Sequence, residues 1–100
     1  PILTLKIRNT PVQDLEAIRE ITTIRDLDIS YTKVRDLEMV KNLPLINFKI
    51  CGLFTKVEKD FGNFKNLKEL SVLSTDPIPK NLPIACKLIK EKASALKTDE

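Results

Sequence analysis

The side chains that could perform chemistry are few in this chain, and their types exclude the common catalytic and metal sites. The 100 residues contain two cysteines, Cys51 and Cys86, and no histidine. Without histidine, Ser–His and Cys–His nucleophile pairs cannot form. Two cysteines 35 residues apart cannot complete a four-ligand zinc site, and this spacing does not require a disulfide. We expect two reduced, partly buried thiols in an intracellular protein, cytoplasmic or nuclear.

The remaining candidate groups for catalysis are carboxylates, and structural roles account for them. Glu38, Glu58 and Asp60 fit helix-surface or capping positions. The only glycines, Gly52 and Gly62, lie in unrelated settings, so the chain has no glycine-rich phosphate loop. The sequence therefore predicts neither an enzyme nor a cofactor.

The charge pattern favours a protein partner over nucleic acid or a membrane. Seventeen basic residues are interspersed with fourteen acidic ones, for a net charge of +3, whereas nucleic-acid binders usually concentrate basic residues on one face. Only the lysines of the last segment could support the alternative, a leucine-rich subunit of a ribonucleoprotein or nucleic-acid-associated complex. No apolar run approaches 18 residues, so no membrane span is expected.

The elements that position these residues are set by an internal repeat. When the chain is shifted by 22 residues, Leu5 aligns with Leu27 and Ile7 with Ile29. The same shift superposes further pairs of like residues: Thr10 with Thr32, Val12 with Val34, Asp14 with Asp36, Leu15 with Leu37, Ile18 with Val40 and Ile21 with Leu43. Phe48 and Ile50 occupy the strand positions of a third repeat, and Leu70 and Val72 those of a fourth. The third repeat is irregular between Ile50 and Phe61.

Each repeat contains two apolar periodicities. The alternation at Leu27 and Ile29 predicts a short strand with one buried face. The apolar spacing near three after Asp14 and Asp36 predicts a short helical or 3₁₀ segment. The carboxylate before it can accept hydrogen bonds from the first N–H groups of that segment. Neither half buries enough apolar surface alone, so the units must stack.

This pattern resembles leucine-rich repeats of the 22-residue kind, similar to those of internalins and phosphatase regulatory subunits, over about residues 2–78. The resemblance implies an α/β solenoid with short parallel strands on its concave face and helical or 3₁₀ segments on its convex face. The family usually carries Asn where this chain has Thr10 and Thr32. A threonine hydroxyl can still donate and accept a hydrogen bond, so a weaker ladder of bonds between neighbouring repeats is expected.

One leucine-rich-repeat domain over residues 1–100 follows, with repeats at about 2–23, 24–44, 45–66 and 67–82. Residues 83–97 are predicted to form a capping helix, because Pro83 suits a first helical position and the following residues segregate by helical period. The apolar face comprises Ile84, Leu88, Ile89, Ala93, Ala95 and Leu96. No such cap precedes the first strand. We therefore expect further repeats or another subunit to pack on the N-terminal edge, in a larger chain or assembly.

The strand residues beside the buried positions are expected to point outward from the concave sheet in three columns. These are Thr4, Asp26, Asn47 and Glu69; Lys6, Asp28, Lys49 and Ser71; and Arg8, Ser30, Cys51 and Leu73. We expect a scaffold or protein–protein interaction module that binds its partner there. The candidate binding residues are Lys6, Arg8, Asp28, Ser30, Tyr31, Lys49, Ser71 and Leu73. Arg8 and Tyr31 rank first, because these residue types carry much of the energy at typical interfaces.

Overall fold

Five short strands form one parallel sheet in the computed structural model, which describes residues 3–53 and 60–92. The strands are β1 (Thr4–Lys6), β2 (Asp26–Asp28), β3 (Asn47–Lys49), β4 (Glu69–Leu73) and β5 (Lys87–Glu91), and their order in the sheet is their order in the chain. Every neighbouring pair is parallel. The chain therefore winds as a solenoid of about four turns.

The register of β1 to β4 is the one that the alignment of the repeats predicts. Leu5 pairs with Leu27, Leu27 with Phe48, and Phe48 with Leu70. Leu88 of β5 continues this ladder beside Leu70. Because all five side chains occupy the same inward position of successive strands, they stack as one apolar ladder along the solenoid axis.

Opposite the strands, each of the first three turns of the solenoid runs through successive 3₁₀-type turns. The N–H of Ile18 bonds the carbonyl of Leu15 at 3.1 Å, Ile21 bonds Ile18 at 3.0 Å, and Ile24 bonds Ile21 at 3.2 Å. A period of three places each of these apolar side chains on the same inner side. One stretch, Glu16–Ile18, is a full 3₁₀ helix.

The carboxylates of Asp14 and Asp36 accept backbone N–H groups at the start of the 3₁₀-type turns. Asp14 accepts the N–H of Glu16 at 3.1 Å, and Asp36 accepts the N–H of Glu38 at 3.2 Å. Asp60 does the same for Gly62 at 2.9 Å, directly before the apolar series that Phe61 begins. In the irregular third repeat the cap follows Ile50 by ten residues instead of seven, and residues 54–59 lie outside the described part of the chain.

The hydrophobic core lies between the strands and the 3₁₀-type turns of the middle coils. Phe48 and Phe64 pack with ring centroids 5.5 Å apart, and Phe61 and Phe64 at 5.6 Å. Leu27, on the strand face that was predicted to be buried, is buried, as is Phe48. Leu5, at the N-terminal end, is only half-buried and packs against the core from one side.

The predicted helix over residues 83–97 is wrong where the structure describes it. The N–H of Cys86 bonds Pro83 at 2.9 Å, which closes a single turn, and β5 begins at Lys87. Pairing with β4 is the alternative to helix for this segment. All five residues of β5 pair in register with all five of β4. Residues 93–97 lie outside the described residues.

The two threonines at the expected asparagine positions make local bonds. The hydroxyl of Thr10 donates to Ile7 at 2.7 Å, and that of Thr32 donates to Ile29 at 2.8 Å. Each bond closes a turn within its own repeat. These two hydroxyls therefore do not form the expected hydrogen bonds between neighbouring repeats. Backbone bonds join the neighbouring turns instead, such as Lys33 to Val12 at 2.8 Å.

Candidate functional site

The outward columns predicted from the sequence are aligned in the sheet. Lys6, Asp28, Lys49 and Ser71 pair in register, and Ile89 extends this column. The parallel ladder runs past the ends of the first strands, because Asn9 donates to the carbonyl of Ser30 and Tyr31 to that of Cys51, each at 2.9 Å. Both bonds lie at the carboxyl ends of the strands. Arg8, Ser30 and Cys51 therefore share the third column, which Leu73 and its partner Glu91 continue.

Three of the eight predicted binding residues are buried, although outward positions predicted exposure. Asp28, Ser30 and Ser71 have at most 4% of their surface exposed. Asp28 accepts the N–H of Ser30 at 3.0 Å, and the Ser30 hydroxyl accepts the N–H of Cys51 at 3.0 Å. The short side chains of Asp28 and Ser30 thus satisfy backbone donors within the outward face of the sheet.

The other predicted residues reach solvent. Lys6 is exposed, while Arg8, Tyr31, Lys49 and Leu73 are partly exposed. The accessible part of this outward face is therefore formed by the longer side chains, whereas Asp28, Ser30 and Ser71 are buried.

Arg8 connects the first turn of the solenoid to the last described strand. Its Nε lies 3.4 Å from Asp28 Oδ2, and one terminal nitrogen lies 3.5 Å from Glu91 Oε1. The guanidinium carbon is 5.6 Å from the centre of the Tyr31 ring, within the range of a cation–π contact. Arg8 Nε is buried without a hydrogen-bond partner. Its contact with Asp28 is therefore an ion pair and not a hydrogen bond.

Left-handed backbone at equivalent turn positions orients Tyr31. Asn9, Tyr31 and Gly52 follow the first three strands with φ of 61°, 58° and 80°. Asn and Gly adopt this conformation readily, whereas a bulky aromatic residue rarely does. The Tyr31 ring lies so close to Gly52 that a Cβ there would be 2.7 Å from Tyr31 Cδ1. The glycine therefore provides the space that the ring occupies beside Arg8.

One cluster contains Arg8, Asp28, Tyr31, Cys51 and Glu91. Its environment disfavours ionisation of the thiol and the phenol. Burial raises the pKa of the Cys51 thiol to about 12, and the Glu91 carboxylate acts in the same direction. Burial also raises the pKa of Tyr31, with a further contribution from Cys51. A thiol with so high a pKa is a poor nucleophile at neutral pH. Across residues 3–53 and 60–92, no group of three or more His, Cys, Asp or Glu side chains could hold a metal ion.

Two members of this cluster were not among the predicted binding residues. Cys51 belonged to the predicted third column, but nothing in the sequence indicated its contact with Glu91. Glu91 lies in the segment 83–97 that the sequence predicted to be a helix. The sequence Lys80-Asn81-Leu82-Pro83 repeats Lys41-Asn42-Leu43-Pro44, which precedes β3, and this repetition could have indicated a fifth strand.

No family model matches this chain, and no significant match was found among curated proteins or solved structures. Within its described residues, the chain has no helix that is both long enough and apolar enough to cross a membrane.

Proposed function

We propose that this chain is a leucine-rich-repeat interaction module that binds a protein partner through its concave face. The supporting observation is the register of the five strands, which aligns the outward side chains of successive repeats into columns. A surface built from parallel columns suits an extended partner, because equivalent positions recur at about 4.8 Å across the sheet.

The half-exposed side chains at the carboxyl ends of the strands support the same proposal. Arg8 contacts both Tyr31 and Asp28, so less of its side-chain entropy remains to be lost on binding. Arg and Tyr are residue types enriched at energetically important interface positions. The columns mix both charge signs, which suits a protein surface better than a nucleic-acid backbone.

A non-enzymatic role is part of the proposal. The described cluster offers a protonated thiol at Cys51 and carboxylates engaged in hydrogen bonds or ion pairs. The groups that reach solvent, such as Lys6, recognise a surface and do not supply the paired acid and base that hydrolysis or group transfer needs.

We further propose that the N-terminal edge is covered in the functional assembly, by more repeats or by another subunit. Leu3 is 57% exposed, and Leu5, Ile7 and Val12 are only half-buried. Among the described residues, β1 pairs with β2 alone, which leaves one edge of the strand open. Open apolar strand edges promote pairing with other chains.

Site-specific photo-crosslinking in an extract of the native source tests the concave face. A photoreactive amino acid at Lys6 or Lys49 should capture the same partner, whereas the same group at Glu20 or Asn42 on the convex side should not. All four positions are exposed or partly exposed, so the probe is tolerated equally. Capture of one partner from the convex positions alone would contradict the proposal.

A further inference from the structure

An open groove lies at the amino ends of β3, β4 and β5, and we call it the amino-end groove. Its apolar lining comes from Ile46, Leu67, Pro83 and Ala85, which come just before those strands in the chain. The volume of the groove is about 330 Å³, at the lower end of the range for ligand sites. It therefore has room for a side chain of a partner and not for a large cofactor.

Backbone hydrogen bonds join the three walls of the amino-end groove. The N–H of Lys68 donates to the carbonyl of Ile46, and the N–H of Lys87 donates to the carbonyl of Lys68, each at 2.8 Å. In the last wall the N–H of Cys86 donates to the carbonyl of Pro83 at 2.9 Å. Because the backbone itself holds the walls together, the groove exists before a ligand binds, and binding requires little reordering.

The charge at the rim of the amino-end groove is positive. Lys65 and Lys68 are both exposed, and the residues that line the groove include no carboxylate. Within residues 3–53 and 60–92, neither lysine forms an ion pair. This distinguishes the groove from the outward columns of the sheet, where acidic and basic residues alternate.

The described carboxylates nearest in sequence to these two lysines are offset by other lysines. Glu69 points to the opposite face of its strand from the preceding residue, and it lies beside Lys87 in the register of β4 and β5. Asp60 lies beside Lys80 in a β-bridge. The two ammonium groups at the rim therefore leave two positive charges without a compensating carboxylate among these residues.

An exposed apolar side chain borders the amino-end groove. Ile84 stands between Pro83 and Ala85 in the chain and is fully exposed. Together with the apolar lining, it extends an accessible apolar surface that has lysines at its rim. Apolar surface with a polar rim is typical of interaction sites, and its contact with an apolar partner group would remove it from water.

We propose that the amino-end groove binds a peptide segment of a protein partner in which acidic residues flank one apolar side chain. The apolar side chain packs on Leu67 and Ala85, and the carboxylates bind the ammonium groups of Lys65 and Lys68. In an extended segment, alternate side chains lie about 7 Å apart on one side, so the pattern Glu-x-Leu-x-Glu presents all three groups to the groove. The groove is separate from the concave face, so this binding does not depend on the function proposed above.

Fluorescence anisotropy at low ionic strength, with a labelled Glu-Ser-Leu-Ser-Glu peptide, tests this proposal. Two peptides of the same length are the controls: Lys-Ser-Leu-Ser-Lys reverses the charge, and Glu-Ser-Ser-Ser-Glu lacks the apolar side chain. The protein should bind the first peptide at least roughly fivefold more tightly than either control, because both attractions contribute. Equal binding of all three peptides, or no binding of the first, would overturn the proposal.

Neutralising the rim measures the contribution of its charge. The double variant Lys65→Gln/Lys68→Gln should bind the acidic peptide roughly three- to tenfold more weakly, because an exposed ion pair is individually weak. The matched control Lys6→Gln/Lys49→Gln changes the net charge equally on the concave face and should keep the affinity within about twofold of wild type. An equal loss in both double variants would show attraction to net charge alone and would contradict this site.

Filling the groove tests its apolar part. Ala85→Phe should remove the preference for the leucine peptide over Glu-Ser-Ser-Ser-Glu, whereas Ala17→Phe, the same substitution in the 3₁₀ helix, should preserve it. Both alanines are exposed, so both variants are expected to fold. An unchanged preference in Ala85→Phe would refute the placement of the leucine. A single-stranded oligonucleotide that displaces the peptide at lower concentration than unlabelled peptide does would identify nucleic acid as the ligand and overturn the proposal.

Discussion

The first and second turns of the solenoid have nearly the same apolar pattern and different burial. Leu27, Ile29 and Val34 of the second turn are buried, whereas their counterparts 22 residues earlier, Leu5, Ile7 and Val12, are only partly buried. The second turn has a neighbour on each side in the sheet, and the first has a neighbour on one side. In a solenoid, burial is therefore determined by stacking neighbours as much as by the residue itself.

Truncation of the equivalent leucines should show this difference most strongly. Leu27→Ala is expected to lower the free energy of unfolding by about 2–5 kcal/mol, because it leaves a cavity between Leu5 and Phe48. Leu5→Ala removes a half-buried side chain and should cost about 1 kcal/mol. Urea denaturation of both variants measures the difference. Equal destabilisation would show that an additional contact covers Leu5.

The two glycines extend the comparison to the turns. Gly52→Ala is expected to destabilise the fold by about 1–3 kcal/mol, because its φ is +80° and the new Cβ would clash with the Tyr31 ring. Gly62 has no positive φ, and its nearest contact is the Asp60 side chain at 3.2 Å, so Gly62→Ala should cost about 0.5 kcal/mol. Thermal unfolding of the pair distinguishes them, and a Gly52→Ala protein as stable as wild type would refute this packing of Tyr31.

The two cysteines should differ in reactivity. Cys51 is fully buried with its pKa raised to about 12, whereas Cys86, before the last described strand, is half-buried and its pKa is raised mainly by burial. Since the thiolate is the reactive form, iodoacetamide at pH 8 should modify Cys86 well before Cys51 in the folded protein. In denaturant the two should react alike. Mass spectrometry of timed samples measures both, and preferential modification of Cys51 would contradict its burial.

The raised pKa of Cys51 also affects stability at alkaline pH. Its ordinary pKa is 9.0 and its folded value is about 12, so the folded state retains the proton more strongly than the unfolded state. The resulting stabilisation is complete below pH 9 and is lost as the pH rises from 9 to about 12. A Cys51→Ser variant lacks this titration, and comparing its pH–stability profile with that of wild type isolates the effect.

The sequence predicted the middle of the solenoid better than its C-terminal end. The pairing of Leu5 with Leu27 and the caps at Asp14 and Asp36 follow from local patterns that recur. The strand at Lys87–Glu91 was missed because Leu88 and Ile89 fit a helical face and a short strand equally well. Pairing with β4 decides between them, and that contact is not local in sequence.

The candidate site shows the same limit. Alternation placed Lys6, Asp28 and Lys49 in one column, as observed. The ion pairs of Arg8 with Asp28 and with Glu91 join side chains from different turns of the solenoid. No periodicity within one repeat contains that information.

Methyl-resolved nuclear Overhauser spectroscopy of the intact chain measures the contacts between neighbouring strands of the solenoid directly. The parallel ladder predicts contacts from the Leu27 methyls to the Phe48 ring, from that ring to the Leu70 methyls, and from Leu70 to Leu88, as their register requires. Backbone contacts between β4 and β5 should accompany them. Sequential amide–amide contacts through residues 87–91, without any contact between Leu70 and Leu88, would indicate a helix there and contradict the five-stranded solenoid.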